Sequence, residues 1–184
     1  MRNRIRAART IGLRTLLVGA AAAVPLLAVA GPAHAAGTVS NTGGRLAISS
    51  TTTNNAITVS VSGSNVRVVN TLTTLSPGGT CTQVNANTVQ CPAASVSDMS
   101  ANLSSGTDLF INNTSLPSLV FLGNGGDIFQ GGSNQDLVNA GGGNDRMTGN
   151  GGDDTLLGGL GSDTASGGTG TDTCTAETED TCEK

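Results

Sequence analysis

LGNGGDIFQ (122–130), GGSNQDLVN (131–139), AGGGNDRMT (140–148), GNGGDDTLL (149–157), GGLGSDTAS (158–166) and GGTGTDTCT (167–175) follow one another without a gap and in one phase. The sixth place is always an aspartate: Asp127, Asp136, Asp145, Asp154, Asp163 and Asp172. Two places later stands an apolar or small residue: Phe129, Val138, Met147, Leu156, Ala165 and Cys174. Glycine fills most of places one, two and four. A flexible, glycine-rich acidic linker has a similar composition, but a linker has no need of phase, and six carboxylates in strict register argue against one.

A nine-residue unit divides naturally into about six residues of turn and three of strand. Glycines permit the tight, positive-φ turn and leave bare carbonyls close to anything bound there. Gly123, Gly125, Gly132, Gly141, Gly143, Gly152, Gly159, Gly161, Gly168 and Gly170 are the candidate carbonyl donors. The residue at place eight points inward while its neighbours point out. Stacked turns bring carboxylates and carbonyls of successive coils together, the all-oxygen surrounding that calcium prefers. Transition metals favour His or Cys ligands, which this segment lacks or ties up.

The six units resemble the hemolysin-type (RTX) calcium-binding repeat, GGxGxDxUx with U a large apolar residue. GGLGSDTAS and GGTGTDTCT match it most closely in their Gly and Asp places, and the resemblance covers 54 residues. It implies a right-handed parallel β-roll (a β-solenoid) with two nonapeptides per coil and calcium between turns on each side. Asp127, Asp145 and Asp163 would line one edge, and Asp136, Asp154 and Asp172 the other. Three turns per edge leave two gaps on each, so about four calcium ions are the expected ceiling. Departures fall at Leu122 and Ala140 (place one), Asn150 (place two) and Asn134 (place four), where weaker binding is expected. The layout is similar to that of small secreted repeat proteins of actinobacteria, in which a β-rich segment precedes the repeats.

Outward from the repeats, residues 36–121 are rich in Ser, Thr, Asn and Val, and alternate in short strand-like runs. AITVSVS (56–62) and VRVV (66–69) read as strands joined by a turn at Gly63-Ser64-Asn65, with further strands expected around Val89, Leu109 and Val120. No amphipathic helix is evident, so the expected class is all-β. This region is expected to form β-helix-like coils continuous with the roll, or a small sandwich. Asp108 and Phe110 echo the Asp-x-apolar step, yet Asp108 lies 19 residues before Asp127 and suggests a degenerate coil with a one-residue bulge. Residues 1–35 read as a signal peptide: a basic start, the apolar run Leu16 to Ala30 broken by Pro25, and Ala33-His34-Ala35 before a cleavage point at Ala36. That run is shorter than the roughly 20 residues of a membrane span. Cys81, Cys91, Cys174 and Cys182 fit an oxidising, extracellular compartment. Four cysteines allow three connectivities, and local pairing (Cys81 with Cys91, Cys174 with Cys182) is favoured by position. Residues 176–184 form an acidic tail that such a bridge would fold over the end of the roll.

Charge and composition exclude other classes. Without residues 1–35, four basic residues (Arg45, Arg67, Arg146, Lys184) face all 13 acids, a net charge of −9. Phosphate binding requires the opposite sign, and with no Trp or Tyr there is no base-stacking platform, so nucleic acid is not a partner. The single His, His34, falls in the leader, which removes Ser-His-Asp and Cys-His catalysis. Asp98 and Asp108 are the only acids outside 122–184 and make no evident acid/base pair, so an enzyme is not expected. Two readings remain. One is a secreted calcium-binding protein folded by extracellular calcium. The other is a cell-surface or matrix interaction protein that contacts a partner through residues 37–121, with the roll as scaffold.

Overall fold

The computed structural model describes residues 37–182. The expected leader (1–35), its cleavage point, and the last two residues, Glu183 and Lys184, lie outside the described residues. Strands β1 (Gly37–Thr42) and β2 (Arg45–Ser50) form a hairpin whose turn, Gly43-Gly44, takes positive φ at both positions. β3 (Ala56–Ser62) and β4 (Asn65–Asn70) form a second hairpin, with Gly63 at φ 60° in the turn expected at Gly63-Ser64-Asn65. β5 (Leu75–Gly79), β6 (Thr82–Asn85) and β7 (Thr88–Pro92) follow, then a 3-10 turn at Ala93–Ser95, the only helical segment among the described residues. β7 pairs antiparallel with both β4 and β6, and β5 runs parallel to β1.

From Asp98 onward the chain winds. β8 (Asp98–Asn102), β10 (Ser118–Asn124), β12 (Asp136–Gly142), β14 (Thr155–Leu160) and β16 (Thr173–Thr175) stack in parallel in one sheet. β9 (Leu109–Asn113), β11 (Ile128–Gln130), β13 (Arg146–Gly151), β15 (Thr164–Thr169) and β17 (Thr178–Asp180) stack in parallel in the other. This alternation is a parallel β-roll. The hairpin strands β2 and β3 pair in parallel with β8 and β9, so the two sheets run on unbroken into the N-terminal region. One further coil, β2–β3, therefore stands on top of the roll, and residues 65–97 make a mostly antiparallel excursion over its end, β5 alone running parallel to its neighbour.

Inward side chains from both sheets merge into one core. Ile48, Ala101, Val120, Val138 and Leu156 form the ladder of one sheet, and Ile57, Phe110, Phe129, Met147 and Ala165 that of the other; all are buried. The rings of Phe110 and Phe129 stack with centroids 6.1 Å apart. The ladder thins towards the C-terminal end, where Ala165 and the partly buried Cys174 occupy place eight. Two disulfides, Cys81–Cys91 and Cys174–Cys182, follow the local pairing. The first ties the loop after β5 to β7, and the second anchors the chain end beside β16. Among the described residues no helix is long and apolar enough to cross a membrane.

Candidate metal centre

Each aspartate at place six sits where a turn gives way to a strand, and its side chain turns inward under the turn. All six are buried. Asp127, Asp145 and Asp163 stack on one edge of the roll, and Asp136, Asp154 and Asp172 on the other, because successive strands alternate between the sheets. The stacking is direct. The Asp127 backbone N–H donates to Asp145 Oδ1 at 2.8 Å, and the Asp145 N–H to Asp163 Oδ1 at 2.9 Å. On the opposite edge the Asp136 N–H donates to Asp154 Oδ1 and the Asp154 N–H to Asp172 Oδ1, both at 2.8 Å. Every link spans 18 residues, the length of one coil.

One oxygen of each carboxylate is thus used by the ladder. The second, Oδ2, is buried without a protein hydrogen bond in Asp127, Asp145, Asp154 and Asp163. A buried, unsatisfied acceptor costs about 1–3 kcal/mol, and more when charged, so a column of them calls for a cation. Backbone carbonyls of preceding coils line the same turns. At Gly143 (φ 140°) and Gly161 (φ 136°) a Cβ would collide with the carbonyl oxygens of Gly125 and Gly143 respectively, which is why only glycine serves there. Gly141 and Gly159 stand in the same way against the carbonyls of Gly123 and Gly141, and Gly168 and Gly170 against those of Asn150 and Gly152. Asn150, the departure at place two, adopts the left-handed conformation itself (φ 74°). Among the described residues no three His, Cys, Asp or Glu side chains converge. A cation here would therefore be held mainly by carbonyls, with carboxylates supplying the charge. That hard-oxygen donor set suits calcium.

Asp136 is the exception on these edges. Its Oδ2 accepts the Gly132 N–H at 2.8 Å, while Oδ1 accepts the Ser118 hydroxyl at 2.6 Å and the Asn112 amide at 3.5 Å. In its turn neither Gly132 nor Asn134 takes positive φ. The other departures from the repeat have a structural reason: Leu122 and Ala140 at place one are fully buried in the core.

The electrostatics follow from burial. Desolvation pushes the carboxyls of Asp127 and Asp136 up, against the lowering effect of the N–H and O–H groups that donate to them. Asp145 is pushed up to about 6, chiefly by burial, opposed by the Asp127 N–H and reinforced by the charges of Asp127 and Asp163. Asp154 is likewise pushed up to about 6 by burial, with the charges of Asp136, Asp172 and Asp153 adding to it.

Two side chains that the repeat pattern does not mark complete the first edge. Glu177 Oε2 accepts the Asp163 N–H at 2.6 Å and ends the ladder where a further aspartate would stand. It lies only 14 residues on, so the phase of nine passes over it. At the other end Asp108, 1% exposed, donates its N–H to Asp127 Oδ1 at 2.8 Å, and the extra residue of its 19-residue spacing lies between Asp108 and Ser118.

The family model for the RTX calcium-binding nonapeptide repeat (4 copies) matches residues 121–156 and, overlapping them, 148–178. Residues 121–178 thus carry RTX calcium-binding repeats. No curated protein and no solved structure was found to match the chain.

Proposed function

We propose, from a chain whose residues 121–178 carry RTX calcium-binding repeats, that this is a secreted protein whose repeat region folds on extracellular calcium. The observation that carries the reading is the column of buried aspartate Oδ2 atoms with no protein donor, set among inward-facing backbone carbonyls. Asp127, Asp145, Asp154, Asp163 and Asp172 are the carboxylates assigned to the ions, with the carbonyls of the glycine places beside them. Asp136, already engaged by three protein donors, is assigned a structural part. When bound, calcium supplies two positive charges to each gap between turns and occupies the acceptors that burial leaves without donors.

Residues 122–184 hold eleven of the thirteen acids against Arg146 and Lys184. Without a cation these carboxylates repel one another, and one or two inward apolar side chains per nine residues offset too little of the ordering entropy. Binding and folding are therefore coupled, and ligand binding supplies folding free energy. Affinity in the range of roughly 10⁻⁴ to 10⁻³ M, usual for extracellular modules, would leave the roll unfolded inside the cell and folded after export. The two disulfides agree with that compartment. The carboxylates of the ladder serve the metal, and no catalytic part is assigned to them.

The test is a calcium titration of residues 36–184 followed by far-UV circular dichroism and calorimetry. Saturable binding with a gain in β signal is expected. Spectra that coincide in chelator and in millimolar calcium would overturn the reading.

A second reading, interaction with a surface or matrix partner through residues 37–121, draws on the exposed Val61, Leu72 and Val84 of the N-terminal excursion and its hairpin. Calcium-independent retention of residues 36–184 on the producing cells, abolished by polar substitution at these three positions, would favour it.

A further inference from the structure

We propose that Leu103–Asp108, which lies outside the matched repeats, is a cation-binding turn, and that the gap between it and the turn Leu122–Asp127 holds one more calcium ion. LSSGTDLFI (103–111) places Gly106, Asp108 and Phe110 at the fourth, sixth and eighth positions of a nonapeptide. Its phase is hidden by the extra residue that follows and by the lack of glycine at places one and two.

The backbone nevertheless takes the repeat's conformation. Ser104 at place two adopts φ 75° and Gly106 φ 123°, the left-handed region occupied by Gly123 and Gly125 one coil on. The Gly106 N–H donates to Asn124 O at 2.7 Å, as Gly125 does to Gly142 O at 2.6 Å and Gly143 to Leu160 O at 2.7 Å. The Ile128 N–H bonds to Asp108 O at 2.8 Å, as that of Arg146 bonds to Asp127 O at 2.9 Å. A Cβ on Gly123 or Gly125 would collide with the carbonyl oxygens of Ser104 and Gly106, the same facing carbonyls that the later turns present.

Asp108 also has the decisive feature of the repeat aspartates. Its Oδ1 accepts the Asn55 N–H at 2.6 Å and the Asn55 side-chain amide at 2.9 Å, while Oδ2 is buried with no protein donor. Asp127, whose Oδ2 is likewise without a donor, reaches back to the Asp108 N–H across this gap. The parts that bound the later gaps on this edge are therefore all present here. One coil higher, Asn55 stands where an acid would be; its side-chain amide donates to Asp108 while its Oδ1 accepts from Ser50, Thr52 and Asn70, so it offers no carboxylate and the run of acids ends there. One edge thus carries four aspartate turns and the other three.

This inference rests on the calcium reading of the repeats, and the experiment separates the two. Ion number is counted by native mass spectrometry and calorimetry for the parent protein, Asp108→Asn and Asp98→Asn. Asp98 is the only other acid of the N-terminal region; it is paired with Arg45 at 2.5 Å, and its substitution removes the same charge without touching the gap. The expected result is one ion fewer in Asp108→Asn and an unchanged number in Asp98→Asn. An unchanged number in Asp108→Asn, with the parent binding calcium, overturns this inference alone. A parent that binds no calcium overturns the repeat reading and this inference with it. Should Asp108→Asn fail to fold, the parent decides: saturable calcium-dependent shifts of the Gly106 and Thr107 amide resonances support the site, and their absence overturns it.

Discussion

On the edge that holds Asp127, Asp145 and Asp163, place one is occupied by Leu122, Ala140 and Gly158; on the opposite edge it is Gly131, Gly149 and Gly167 throughout. The first edge uses that position for the core, with Leu122 and Ala140 fully buried, and runs its ladder from Asn55 to Glu177. On the second, a Cβ at Gly131, Gly149 or Gly167 would strike the Oδ2 of its own turn's aspartate, as it would at Gly158 on the first, and the ladder starts at an Asp136 already satisfied by Ser118, Gly132 and Asn112. One nonapeptide therefore makes two kinds of edge. Where an aspartate has protein donors on both oxygens it is a building block, and where one oxygen is left over it is the proposed ligand.

Removal of calcium should produce the largest contrast. In chelator, amide exchange is expected to rise by several orders of magnitude in the turns 140–145, 149–154 and 158–163. The turn 131–136, held by its own donors, should keep part of its protection, as read by hydrogen-exchange mass spectrometry. Deprotection of 131–136 to the same extent as the other turns would dissolve the distinction. Substitution is the next sharpest tool. Asp145→Asn should weaken calcium binding about tenfold, corresponding to about 1.4 kcal/mol. Asp136→Asn should leave the titration midpoint nearly in place and lower stability at saturating calcium by about 1–3 kcal/mol. The opposite assignment of the two effects would show that Asp136 is a ligand after all.

Acid separates the cation-free from the loaded state. Asp145 and Asp154 have folded-state values of about 6 against an ordinary 3.8, so between those values the folded chain binds more protons than the unfolded one. Without calcium, folding is therefore favoured as pH falls through about 6, and the β signal in chelator should grow between pH 7.5 and pH 5. With calcium the sign reverses, because protons compete for the same oxygens, and affinity should fall over that window. Parallel pH trends in the two states would refute this. The smallest effect is expected from the C-terminal bridge. Replacing Cys174 and Cys182 by Ser should cost roughly 2 kcal/mol, confined to the last coil. If calcium-loaded stability does not change at all, the bridge does not cap the roll.

Much of this was legible in the sequence, for a specific reason. A strict phase of nine in Gly, Asp and apolar residues marks the repeats, and the two aspartate rows are what their resemblance to the RTX repeat implies. AITVSVS coincides with β3 because its alternation matches a half-buried strand. Other elements left no periodic trace. Asp108 is one residue out of phase, and Glu177 reaches Asp163 from a shortened final turn. Leu122 and Ala140 look like defects until the core they fill is seen. The excursion at 65–97 depends on which neighbour β4 and β7 choose, and alternation alone does not specify a partner.

The 18-residue step that links each aspartate to the next on its edge has a consequence for inheritance. Gain or loss of eighteen codons between β10 and β15 preserves the reading frame and rejoins a strand to one of identical register. Such a change alters the length of the protein by one coil and each aspartate row by one turn. Exchange between stretches that share this phase therefore supplies, in a single event, rolls one coil longer or shorter.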